Sequence, residues 1–510
     1  MEPIELESVA ATKPYMLFGT FAALSVVYVL VKTVHALYFH PLSKVPGPKI
    51  NALSRIPYVR HLLAGTTVHL VNDLHAKYGD GVRVSPNEVS FINGETSFQE
   101  IYGFRTGKLK GKQNFQKDPA WYAPPMNGSP SILVANDADH SRGRKTLSHA
   151  FSEKALADQE GLLQKYVDQL VNRLKEVTSA SPEPVNMVKW YNWTTFDVIA
   201  DLLFGEPFGC LQDLRTHKYI DLLFKSLKAF RMFYIMKYFP LGKYLGNLVV
   251  DHQAIADRKE YQTWISSQAS KRRARDMQRP DFMELIMKHN GEKGGSLTND
   301  EIDSNCNLII TAGSETTATL LSGCTFLLLK NPAVYQKVKD EVRGCFESYG
   351  DITLDAVNRS TPYLLATLQE ALRYYPPVPC GFERRVPSGG DVVSGYYLPE
   401  GTAVSVSHFP AYHSEKNFRD PEEFVPERWM GDPKYADDKR SSHQPFSFGS
   451  RNCLGKNLAF AEMRLIMSKV IWSFDFELDP RSDNWFKENR VMTLWIKPEL
   501  AVHVKEVVRD

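Results

Sequence analysis

Residues 446–456, FSFGSRNCLGK, set Cys453 between two glycines and directly ahead of an apolar-periodic run, NLAFAEMRLIM at 457–467. That periodicity predicts a helix starting just behind the cysteine. A helix N-terminus carries unpaired N–H groups and positive partial charge, so a cysteine there can be held as thiolate, a nucleophile or a metal ligand. Gly449 and Gly455 would let the backbone turn tightly and bring N–H groups near the sulfur, while Arg451 offers a planar fork for a carboxylate. A single cysteine is more commonly a small buried hydrophobe. The rest of the chain has to decide between the two.

The chain has 510 residues, enough for one large enzyme domain or about three ordinary ones. Apolar residues make up 43% and charged residues 24%, with a net charge of +2. That balance gives no argument for nucleic acid, though local basic clusters can dock an acidic protein or a membrane surface. The six cysteines (210, 306, 324, 345, 380, 453) contain no CxxC pair, which argues against a disulfide framework or structural zinc and for a reducing compartment.

Tyr15 to Val31, YMLFGTFAALSVVYVLV, contains no charge, and prolonged towards Phe39 it is long enough to span a bilayer. A cleaved signal peptide is the rival, with a shorter core and a small-residue cleavage site. Glu2, Glu5 and Glu7 precede the run and Lys32, His35, Lys44, Lys49 and Arg55 follow it, so the positive-inside bias leaves the body in the cytosol. HPLSKVPGPK at 40–49 then reads as a stiff, extended link. The expected organisation is a tail and transmembrane anchor over 1–39, a proline-rich hinge over 40–50 and a catalytic domain over 51–510.

The body is mainly helical with a minor sheet, whose strand-like alternations fall near Gly81 to Ile92 and Asp391 to Val406. The basic run KRRARDMQR, 271–279, reads as the solvated end of a helix. One helix is exceptional: Thr298 and Glu301 stand in capping-box spacing, and the pattern runs for about thirty residues to Asn331-Pro332. Glu315 sits at its middle, which argues against a second membrane span. With Ala312, Gly313 and Thr316 it forms a polar, small-residue notch against which something flat can lie. A carboxylate coupled to a hydroxyl suits proton delivery to a buried oxygen species. Further on, Glu370 and Arg373 share a helix face, and Arg428 is a candidate to close a buried Glu–Arg–Arg network; alone, such a helical pair is usually a surface pair.

Taken in order, Ala312-Gly313-x-Glu315-Thr316, Glu370-x-x-Arg373, Pro426-Glu427-Arg428 and Phe446-x-x-Gly449-x-Arg451-x-Cys453-x-Gly455 resemble the cytochrome P-450 superfamily of haem-thiolate monooxygenases. The anchor and hinge resemble its microsomal members. HPLSKVPGPK with SHAFSEKAL is most similar to fungal members of secondary metabolism, such as the trichothecene C-15 hydroxylase group. The resemblance implies a mainly α cytochrome P-450 fold with a minor β-sheet region and an N-terminal transmembrane helix. It implies haem b with Cys453 as axial thiolate, kept deprotonated by the helix terminus, and Arg451 on a haem propionate. Phe446 would shield the sulfur, Gly449 would shape the loop and Ala312 would face the macrocycle. The family often pairs Trp-x-x-x-Arg with the propionates; His140-x-x-x-Arg144 stands here instead, and both residues are kept as candidates. Arg384 and Arg385 stay outside the set.

The resemblance further implies that Thr316 and Glu315 protonate bound oxygen. The expected outcome is oxidation, most simply hydroxylation, of a lipophilic small molecule. Oxidative rearrangement, ring expansion, desaturation or a non-catalytic haem sensor are the alternatives. No GxGxxG fingerprint is present, so electrons are expected from NADPH–cytochrome P-450 reductase, with cytochrome b5 as a further donor. Lys112, Lys117, Arg142 and Lys145 are candidates for its docking face, with solvated surface charge the commoner explanation of any one of them. By analogy the pocket is lined from Trp121 to Ile132, by Leu308 and Ile309, from Val378 to Phe382 and from Met492 to Leu494. The expected location is the endoplasmic reticulum membrane, single-pass, with the catalytic domain cytosolic.

Overall fold

Thr298 and Glu301 cap reciprocally, as their spacing predicts: the Thr298 hydroxyl accepts from the Glu301 N–H and Glu301 Oε2 accepts from the Thr298 N–H. They open a 32-residue central helix, Asn299–Lys330. A computed structural model describes this helix among residues 7–122, 124–125, 127–238, 252–275, 278–292 and 296–509. From residue 317 to 328 the central helix is buried on every face, which a helix can be only if protein surrounds it. It crosses helix Met187–Phe204, itself almost wholly buried. Helices Glu153–Ala180, His252–Ala274, Pro362–Tyr374 and Lys456–Ser473 complete the packing around the pair.

The sheet lies to one side. Strands Gly81–Ser85 and Glu88–Phe91 form a hairpin, and Glu88–Phe91 pairs in parallel with Ala403–Val406. Arg384–Arg385 joins antiparallel to Ala403–Val406, and Gln116–Lys117 forms the edge. The short strands are buried on both faces rather than alternating, because helix Thr67–Tyr78 packs against them.

Two expectations are corrected. The link after the N-terminal helix is folded, not extended. Helix Glu7–Val34 runs on through a π turn, His35–Phe39, and a 3-10 turn, Pro41–Lys44, whose Leu42 is wholly buried in the cluster around the sheet. Arg83 clips it: its backbone N–H donates to the Pro46 carbonyl at 2.7 Å and its guanidinium to the Ala36 carbonyl at 3.1 Å. A β-carbon on Gly47 would stand 2.7 Å from the Arg83 carbonyl oxygen, so this close approach needs glycine. The second correction is the basic run. Arg272 is buried on Asp281 at 3.0 Å, Arg273 pairs with Asp303 at 2.7 Å, and Arg279 with Asp201 at 2.9 Å. Asp201 and Asp303 lie on other helices, out of sight of local charge patterning, while Asp281 stands just past the run, beyond Pro280.

The N-terminal helix is long and apolar enough over Tyr15–Phe39 to cross a membrane, and that segment is not buried against the body.

Candidate active site

The cysteine loop is built by three backbone features. The Cys453 N–H donates to the Phe446 carbonyl at 2.8 Å, closing the loop on itself. Ser447 (φ 61°) and Gly449 (φ 77°) take the left-handed conformation that turns the chain. A β-carbon on Gly449 would stand 1.9 Å from the Tyr102 carbonyl oxygen, so no other residue fits without moving the backbone. Gly455 is different: its φ is −88° and a β-carbon there would make ordinary contact with Phe151 at 3.8 Å. Its tight-turn role is therefore not needed; it caps helix Lys456–Ser473. Phe446 packs its ring on Phe460 with centroids 5.2 Å apart.

Cys453 keeps exposed surface, yet the protein around its sulfur is dense enough that burial raises the thiol's pKa. The Gly455 N–H, Arg144 and Lys456 pull it the other way and do not overcome the burial. The expected pull of the helix terminus towards thiolate is thus present but opposed by burial, and a metal bound at the sulfur would favour the thiolate further.

Tyr102 holds the loop and the sheet together. Its carbonyl sits under Gly449, its hydroxyl donates to the Phe382 carbonyl at 2.9 Å, and the same oxygen accepts from the Val406 N–H at 3.0 Å. Arg384 lies over its ring at 5.6 Å.

Beyond that tyrosine is a group of cations. Lys117 stands directly opposite Arg384 across an antiparallel pair, an arrangement of like charges that destabilises a ladder unless an anion lies between. Burial, then Arg384 and Arg451, push Lys117 well below the usual lysine range. His140 stands beside them uncharged: burial, then Arg451, Arg144 and Lys117, lower its pKa to about 4. Arg451 donates through Nη2 to the Ala135 carbonyl and Asp137, both at 2.8 Å, while its Nη1 is buried with no partner. Arg384 Nε is likewise buried and unpartnered. Two orphaned donors and crowded cations fit a pair of carboxylates. Arg144 does not share in this: it donates to the Asn452 carbonyl and side-chain oxygens, both at 2.6 Å, and so braces the cysteine loop from behind. Arg384 and Lys117 are the residues sequence reasoning left out. Their signal was the doubled arginine of GFERRVP, but only strand register puts Lys117 across from it.

On the central helix Ala312 is exposed and Thr316 half-buried, one turn apart on one face, with the Thr316 hydroxyl donating to the Ala312 carbonyl at 2.7 Å. Gly313 is turned away and packed, since a β-carbon would meet Ile199 at 2.9 Å. Glu315 is turned away as well. It is 2% exposed, ion-paired to Lys497 and 3.4 Å from the Thr319 hydroxyl, and its Oε2 is buried without a partner. The expected carboxylate–hydroxyl coupling of Glu315 to Thr316 is therefore not a direct contact, because neighbours in a helix point about 100° apart.

The Glu–Arg–Arg network is present and buried. Glu370 and Arg373 show no exposed surface and Arg428 is 1% exposed. Glu370 accepts from Arg373 Nε at 3.0 Å and Nη2 at 2.7 Å, Arg428 Nε at 3.1 Å, Trp429 Nε1 at 2.8 Å and the Val425 N–H at 3.0 Å. Arg373 also donates to the Tyr412, Pro421 and Glu423 carbonyls.

The expected docking face is mostly committed elsewhere. Lys112 pairs with Asp391 and Arg142 with Glu301 and Asp139, while Lys117 faces the cation group; Lys145 is exposed. Of the expected pocket residues, Trp121 packs edge-on against Phe382 at 6.1 Å and the Cys380 thiol donates to the Thr493 carbonyl at 3.4 Å. Residues 123 and 126 of that loop lie outside the described residues.

Comparison with known proteins identifies the family. The family described as Cytochrome P-450 matches residues 48–504. The chain is 58% identical to "Cytochrome P-450 monooxygenase traB" of Penicillium crustosum, over 96% of this chain and 97% of that protein. It is 45% identical to "Cytochrome P-450 monooxygenase lcsI" of Purpureocillium lilacinum, over 96% and 94%. It is 41% identical to "Averantin hydroxylase" of Dothistroma septosporum, over 94% and 89%.

Proposed function

The chain belongs to the cytochrome P-450 family and is a monooxygenase whose haem is held by a cysteine thiolate, and from that premise we propose that it hydroxylates a lipophilic secondary metabolite with Cys453 as the ligand. The carrying observation is the placement of an accessible Cys453 at a helix start beside a group of cations with orphaned donors. These residues fit the group: a sulfur for the iron, and Arg451, Arg384, His140 and Lys117 for its two propionates. When bound, the haem supplies the oxygen activation. Arg451 would present its free Nη1 to a propionate, and His140, neutral, would donate one hydrogen bond rather than add charge. Phe446, packed on Phe460, would cover one side of the sulfur once the haem is bound. Thr316 would hold its hydroxyl at the exposed face and pass a proton there, with Glu315 replenishing it. Glu370, Arg373 and Arg428 lock the approach to the cysteine loop.

Members of the family need a redox partner and act on small molecules. We assign the electron supply to NADPH–cytochrome P-450 reductase, with cytochrome b5 as a further donor. Residues 1–39 would anchor the protein in the endoplasmic reticulum membrane, 40–50 would set the attitude of the body, and 51–510 would carry out the chemistry in the cytosol. Hydroxylation as the net outcome draws support from the relative named averantin hydroxylase.

The test is the carbon monoxide difference spectrum of the reduced protein in membranes, followed by a substrate screen with reductase. A thiolate-type Soret band is expected. A band typical of histidine-ligated haem would remove Cys453 from its role.

A further inference from the structure

Lys497 lies just past strand Leu494–Ile496, 182 residues along the chain from the carboxylate it meets. Its ammonium is ion-paired to Glu315 and accepted by the Thr319 hydroxyl at 2.8 Å, with the lysine side chain 3% and the glutamate side chain 2% exposed. Two charges taken that far from water remain ionised only as a pair. Glu315 and Thr319 are one helical turn apart and share the buried face; Ala312 and Thr316 share the accessible one. Lys497 therefore fixes which way the carboxylate points. Only Glu315 Oε2, buried and unpartnered, is left to accept from a water or hydroxyl.

We propose that Lys497 is a positioning residue for proton delivery: it holds Glu315 as an anchored carboxylate with one free oxygen, and so ties the C-terminal hairpin to the proton path. The hairpin, Arg490–Met492 paired with Leu494–Ile496, turns at Thr493 (φ 78°), whose carbonyl meets Cys380 in the expected substrate-lining loop. A substrate that shifts the turn would pull on Lys497 through three residues of strand. The proposal rests on Glu315 serving Thr316, as stated above.

The test uses the full-length haem protein with purified reductase and no substrate, comparing Glu315→Gln, Lys497→Met, Lys497→Arg and the Glu315→Gln/Lys497→Met pair. The readouts are hydrogen peroxide released per NADPH oxidised, the solvent deuterium isotope effect on NADPH oxidation, and the thermal unfolding midpoint. Lys497→Met is expected to raise the peroxide share several-fold and to move the isotope effect as Glu315→Gln does. The pair should be no worse than either single change, and Lys497→Arg should restore both readouts. In unfolding, the two single changes should be non-additive, a readout independent of turnover. If Lys497→Met fails to fold, the pair, which removes both charges, still reports the effect against Glu315→Gln alone. A wild-type peroxide share and isotope effect in Lys497→Met, with both altered in Glu315→Gln, would overturn the positioning role alone. No change in Glu315→Gln would bring down the proton path of the previous subsection and this proposal with it.

Discussion

Replacing Glu370 by glutamine keeps the shape of the side chain and removes one charge. The wild-type network is balanced, with Glu370 and Asp438 facing Arg373 and Arg428, all buried. After Glu370→Gln, two guanidiniums share one carboxylate, and the new amide must point its N–H2 at groups that also donate. Five hydrogen bonds converge on the two oxygens of Glu370, and one of those oxygens is lost. Breaking one partner of a buried pair costs about 3–5 kcal/mol, against a total stability of about 5–15 kcal/mol for an ordinary domain. At about 1.4 kcal/mol per tenfold, that lowers the closed-to-open ratio by about a hundred- to three-thousandfold. Hydrogen exchange at the Val425 N–H and the Trp429 indole, both bonded to Glu370, should speed up by that factor, and the thiolate-type band should fall with it. Protection within twofold of wild type would mean that packing, not charge, holds this turn, and the electrostatic reasoning would be wrong.

Gly449→Ala forces a β-carbon onto the Tyr102 carbonyl in a left-handed conformation costing about 1–2 kcal/mol before any clash; the protein should fold but lose its thiolate-type spectrum. Arg384→Leu removes a charged donor worth about 1.5–3 kcal/mol, so haem should transfer to apomyoglobin at least about tenfold faster. If no anion lies between Lys117 and Arg384, relief of their repulsion would instead make the variant more stable. Burial raises the pKa of Glu462 to about 8, against an ordinary value of 4.5, with a Thr317 hydrogen bond only partly offsetting it. The folded state thus keeps a proton that the unfolded chain gives up, so this group's contribution is full below pH 4.5 and lost as pH rises through about 8. Glu462→Gln should flatten the fall in unfolding midpoint across that window; an unchanged slope would show that the carboxyl is ionised in the fold.

Much of the fold and of the site is legible in the sequence, for a local reason in each case. The capping box, the length of the central helix and the turn glycine at 449 are signals within a few residues, and they act within a few residues. Glu370-x-x-Arg373 was readable as a helical pair, but its burial depended on Arg428 and on carbonyls some forty to fifty residues away. Misreadings came where a charge found its partner across a turn or far along the chain. Arg273 and Arg279 read as solvated because Asp303 and Asp201 lie on other helices, and Arg272 because Asp281 stands beyond the Pro280 turn. Lys497 carried no motif at all, and Lys117 acquired meaning only through strand register. His140 and Arg144, one motif in the sequence, take different tasks in the fold: Arg144 bonds the Asn452 carbonyl, while His140 stands among Arg451, Arg144 and Lys117.

Tyr102 acts as a datum. Its carbonyl sets how far the cysteine loop can approach, while its hydroxyl sets the height of the strand end and of the segment leading to Arg384. The gap between sulfur and cations is thus gauged by one rigid side chain instead of accumulating error over the more than sixty residues between Arg384 and Cys453. A change that moved this tyrosine would therefore shift the sulfur and the cations together, where a change in either loop shifts only one of them.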